Sequence, residues 1–67
     1  LDDIKENDWI VITGDNLINE LFVVRKVKVS KQDGTEIIFD MRRNRFFNLG
    51  MYLRGKSWVK DVRVFKR

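Results

Sequence analysis

The alternation of apolar and polar positions divides the chain into short β-rich runs separated by turns. Residues 8–13, Asp-Trp-Ile-Val-Ile-Thr, place Ile10 and Ile12 on one face and Trp9 and Val11 on the other, which predicts a first strand. Residues 14–20 are rich in Gly, Asp and Asn and predict a loop with Leu17 or Ile18 tucked inward. Residues 21–30 alternate cleanly only in their second half, where Val27 and Val29 face inward and Lys26 and Lys28 face water. The consecutive apolar residues Phe22, Val23 and Val24 break that alternation. They predict a long bent strand or a bulge near Val24 and Arg25, the device by which small barrels turn corners.

Lys31-Gln32-Asp33-Gly34 predicts a hairpin turn, because Asp-Gly supplies the positive φ a tight connection needs. Residues 35–41 predict a third strand with Ile37, Phe39 and Met41 inward and Glu36, Ile38 and Asp40 outward. Residues 42–45 form a polar break, and Phe46, Phe47 and Leu49 restart an apolar run that Gly50 interrupts before Met51-Tyr52-Leu53. Arg54-Gly55-Lys56-Ser57 predicts another turn and residues 58–65 a last strand. No segment sustains a 3.6-residue apolar period, so helix is limited to one short turn, near Asp2–Glu6 or Trp58–Asp61. The predicted fold is all-β: five short strands rolled into one small barrel over residues 1–67, which removes exposed edges and gives a shared core. That core is expected to hold Ile10, Ile12, Leu21, Val23, Val27, Val29, Ile37, Phe39, Met41, Val62 and Val64.

Composition narrows the class without changing this picture. With 43% hydrophobic and 36% charged residues, the chain is too apolar for disorder and too charged for a membrane protein. No apolar run suits a membrane span and no signal pattern opens the chain, so the expected location is cytoplasmic, with no membrane partner. The abrupt ends at Leu1 and at Phe65-Lys66-Arg67 read as those of a piece of a longer protein. Cys and His are both absent, which excludes disulfides, thiolate nucleophiles and His or Cys ligands for zinc. No paired carboxylates recur on an inward face and no Gly-rich phosphate loop is present, so the expectation is a non-enzymatic domain with no metal, cofactor or small-molecule substrate.

Charge adds the functional clue. Residues 1–40 carry five basic and nine acidic groups, a net −4, whereas residues 41–67 carry nine basic groups against Asp61 alone, a net +8. Such a division attracts polyanions and makes their binding salt-dependent. The candidate contacts are Arg42, Arg43 and Arg45 in one turn, Arg54 and Lys56 around Gly55 in the next, and Lys60, Arg63, Lys66 and Arg67 along the last strand and its exit. Arginine suits this role because its planar fork binds phosphate bidentately. Of the interleaved aromatics, Phe46 or Phe47 and Trp58 are expected to complete the core, and Tyr52 is the one expected to stand exposed. Without a clear set of exposed rings, phosphate contacts to duplex DNA are preferred over base stacking on single strands.

The stretch Ile4–Gly14 and its continuation through Val23–Val27 resembles the KOW motif of NusG-type elongation factors and certain large-subunit ribosomal proteins. Asp8, Ile10, Ile12, Gly14 and the Val23–Val27 strand fit the pattern over residues 4–29, while Asn7 stands where the first glycine is usual and Leu21 or Phe22 where the second is expected. The resemblance implies an SH3-like, Tudor-related barrel that binds nucleic acid or nucleoprotein, as in a phage-encoded or nucleoid-associated protein. The sequence thus leads to a sequence-nonspecific DNA-binding module, RNA being a variant of the same reading. The alternative is a protein-interaction module docking on RNA polymerase or a ribosomal component. A lesser one is a Tudor-type cage in which Trp9, with Asp8 and Glu6, binds a methylated cation.

Overall fold

The computed structural model describes residues 4–65, the Lys26 side chain excepted. Five strands, β1 (Trp9–Gly14), β2 (Leu17–Val29), β3 (Glu36–Asp40), β4 (Phe46–Asn48) and β5 (Val59–Phe65), pair antiparallel in the order β4-β3-β2-β1-β5. The sheet curls into a half-barrel, so the all-β small-barrel expectation holds. One short helix, α1 (Leu49–Leu53), joins β4 to β5. It lies in neither of the places the sequence suggested: Asp2 and Asp3 fall outside the described residues, and Trp58–Asp61 leads into β5. Gly50 disguised the helix, but Asn48 is a helix N-cap whose side chain accepts a hydrogen bond from the Met51 N–H at 3.0 Å.

β2 is the long strand expected, but it begins at Leu17, inside the segment 14–20 that the sequence suggested was a loop, and it serves both halves of the sheet. Its ladder to β3 slips between Val24 and Lys26, where the alternation breaks in the sequence. A bulge inserts one residue and so reverses which parity faces the core. Before it the inward residues are Phe22 and Val24; after it Val27 packs against the core. The expected inward set of Leu21, Val23, Val27 and Val29 is therefore corrected: Leu21 is half-buried, Val23 is buried but lies outside the main cluster, and Val29 is 58% exposed.

β3 is turned over relative to expectation. Ile38, opposite Val27 and Phe47, is fully buried, whereas Ile37 and Phe39 are only half-buried and Met41 is exposed. Inward Ile38 brings Asp40, two residues on, to the same face, and Asp40 is buried. The core gathers Ile4, Ile10, Ile12, Phe22, Val24, Ile38, Phe47, Leu49, Val59 and Val62, with Val64 packed at its margin.

Two turns fix the hairpins. Gly34 (φ 72) closes the β2–β3 turn, its N–H donating to the Ser30 carbonyl at 2.9 Å. In that turn the Thr35 hydroxyl, and then its backbone N–H, hold the Asp33 carboxyl below its ordinary pKa. Gly14 ends β1 tight against the start of β5: a Cβ there would run into the Trp58 carbonyl oxygen and crowd the Val59 backbone. Gly14→Ala is expected to cost about 1–3 kcal/mol of stability through this overpacking. Urea melts that match the parent would show that the two strands part without strain.

Candidate functional site

The β3–β4 turn, residues 41–45, is held by its two ends. The Asp40 N–H donates to the Arg45 carbonyl at 3.0 Å, and the Asp40 carboxylate accepts from the Arg42 N–H at 3.0 Å. Arg45 then reaches inward. Its Nε donates to Asp40 Oδ2 at 2.7 Å, one terminal nitrogen to Glu20 Oε1 at 2.9 Å, and the other to the Leu21 carbonyl at 3.0 Å. Its guanidinium carbon lies 5.3 Å from the centre of the Phe22 ring. Burial works against the Arg45 charge, but the hydrogen bonds to Glu20 and Asp40 outweigh it and raise its pKa. Arg45 is thus engaged inside the protein, where its side chain is 15% exposed, and it anchors the turn that carries its neighbours.

Arg42 and Arg43 project from this anchored turn into solvent, Arg43 with one contact at 3.3 Å to Glu20. Between the turn and the sheet lies an open cleft of about 330 Å³ lined by Arg25, Phe39, Met41, Arg42, Arg43 and Phe46, among others. Arg25 was missed by reasoning from the basic C-terminal half. Its signal was the alternation slip, because the bulge at Val24–Lys26 is what brings its guanidinium carbon to 5.6 Å from the centre of the Phe39 ring. Phe39 and Phe46 are cross-strand partners on the outer face, with ring centroids 5.4 Å apart and planes 34° from parallel. Phe46 is 56% exposed.

The other candidates among the described residues do not join this cleft. Arg54 caps α1 and approaches Asp33 at 4.0 Å, while the Lys60 ammonium donates to the Ser57 carbonyl at 2.6 Å. Arg63 is exposed on the edge strand β5, bonded to the Asn19 side chain and 3.9 Å from Asp61. Lys56 borders a second, smaller groove of about 170 Å³ that shares Phe46 with the first. Lys66 and Arg67 lie outside the described residues. The acidic first half therefore folds back on the basic second half, through Glu20, Asp40 and Asp33.

Tyr52 is not the exposed aromatic. Its ring packs against the core at 6.4 Å from Phe47, and its hydroxyl accepts from the Val62 N–H at 3.2 Å. Phe46 takes that place, while Phe47 joins the core as expected and Trp58 packs at its edge, donating from Nε1 to the Phe46 carbonyl at 3.1 Å. Trp9 stands half-exposed opposite Phe65 on the outer face of β1 and β5, and Asp8 accepts from the Lys5 N–H at 2.9 Å. No helix among the described residues is long and apolar enough to cross a membrane. No family model, curated protein or solved structure matches the chain, which leaves the residues of the cleft themselves as the ground for a functional reading.

Proposed function

We propose that this domain is a KOW-like nucleic-acid-binding module that holds the phosphate backbone of DNA, or of RNA, without sequence preference. The observation that carries the reading is the convergence of Arg25, Arg42 and Arg43 on one open cleft beside a turn that Arg45 and Asp40 hold in place. Arginine on a pre-shaped turn binds phosphate bidentately with little ordering left to do. The left-handed Asn7 (φ 71) and the close approach at Gly14 agree with the resemblance to the KOW pattern at those two positions. Arg45 belongs to the scaffold in this reading, and Arg25 replaces it as a contact.

Titration of a labelled oligonucleotide across salt concentrations tests it. Affinity is expected to fall steeply with salt, and the Arg25→Ala/Arg42→Ala/Arg43→Ala variant to flatten the log–log slope by roughly 2 to 3, as the loss of about three phosphate contacts requires. A slope unaltered by the triple change would place the contacts elsewhere. One observation favours the second reading, docking on transcription or ribosomal machinery: the exposed pair Trp9 and Phe65 on a different part of the sheet. Recovery of one protein partner after nuclease treatment, lost on Trp9→Ala, would support that surface.

A further inference from the structure

Preference for duplex over single strands follows from a lack of exposed rings, and the cleft supplies one in Phe46. We infer that the cleft takes single-stranded nucleic acid, with a base stacked on Phe46 while Arg25, Arg42 and Arg43 hold the flanking phosphates; this rests on the nucleic-acid reading above. Phe46 stands on an edge strand, more than half exposed, with its main chain fixed by the Trp58 indole. Phe39 supports it from the neighbouring strand, and the Arg25 guanidinium lies by the Phe39 ring, so aromatic and cationic groups alternate across a short distance.

That alternation suits an unpaired nucleotide. A base in a duplex keeps both faces against its neighbours and presents only its edges, whereas an unpaired base offers a π-face to a ring. Every base has such a face, so stacking is sequence-tolerant and complements phosphate contacts that are equally indifferent to sequence. The second groove continues the path: Phe46 borders both, and the far side carries Met51, Lys56 and Trp58. A strand leaving the first cleft over Phe46 thus meets another cation, Lys56, and the Trp58 indole.

The test compares labelled oligo(dT), oligo(U) and a DNA duplex of equal length by anisotropy at low and moderate salt, with the parent protein, Phe46→Ala, Phe46→Leu and Phe46→Trp. Phe46 lies outside the core, and thermal melts of each variant check that the fold persists. Single strands are expected to bind tighter than duplex, and Phe46→Ala to weaken them by roughly 5- to 150-fold, the range for loss of one stacked base. Phe46→Leu, which keeps apolar bulk but no π-face, should resemble Phe46→Ala, and Phe46→Trp should restore binding. Comparison of oligo(dT) with oligo(U) identifies which of the two is the natural class. Duplex bound as tightly as single strands, with Phe46→Ala inert, overturns the stacking inference and leaves the phosphate reading standing. A duplex preference lost on Phe46→Ala also overturns it, in favour of a wedge between paired bases. Absence of binding to any of the three at low salt overturns both.

Discussion

Arg45→Ala is expected to lose about 3–5 kcal/mol of stability, the cost of leaving a buried charge without its partner. Asp40 has a side chain only 1% exposed, and Arg45 is its ion-pair partner at 2.7 Å. Truncation also frees the Leu21 carbonyl and uncovers the Phe22 ring. A domain of 67 residues holds on the order of 3–10 kcal/mol in all, so the variant should be largely unfolded or close to it. Urea unfolding measures the loss. The double change Asp40→Ala/Arg45→Met should recover much of it, because replacing both members by apolar groups removes the stranded charge. A single variant within about 1 kcal/mol of the parent would mean that water relieves Asp40 and that the turn does not depend on this pair.

Phe22→Ala comes next, at about 3–5 kcal/mol for an emptied aromatic site in a well-packed core. Phe22 is fully buried, lies opposite Ile10, and meets Phe47 edge-to-face with centroids 5.5 Å apart. It also underlies the Arg45 guanidinium, so its loss and that of Arg45 should be less than additive when combined. The adjacent Leu21→Ala should cost far less, since Leu21 is only half-buried. Equal losses at the two positions would contradict the inward parity of β2 before its bulge.

That parity marks where the fold was legible in the sequence and where it was not. The strands, their order along the chain and the hairpin at Gly34 follow from local alternation and turn chemistry. The slip at Phe22-Val23-Val24 located the bulge, but a bulge is one residue wide, and whether parity changes across it depends on the partner strand. β3 shows the same limit. Its odd positions, Ile37, Phe39 and Met41, are the more apolar set, yet the even set with Ile38 and Asp40 faces in. Asp40 is tolerated inside because Arg45 meets it there, a pairing across a turn that alternation does not encode. Two of the apolar residues displaced outward, Phe39 and Met41, line the cleft, so the pattern misleads most where the candidate site lies. Arg42 and Arg43 were legible from charge, whereas Arg25 and Phe46 needed the two ladders of β3 that bring both to Phe39.

The pairing of β1 with β5 sets Trp9 opposite Phe65, so nearly the whole described chain intervenes between two neighbours in the sheet. In kinetic terms this ladder is the costly one. The β2–β3 and β3–β4 hairpins close short loops, whereas β1–β5 must overcome the closure entropy of a long one before any contact repays it. The rate of folding is then governed by topology more than by any local turn, and a chain halted before β5 is in place would carry β1 as an unpaired edge, with Trp9 and Val11 open to another chain.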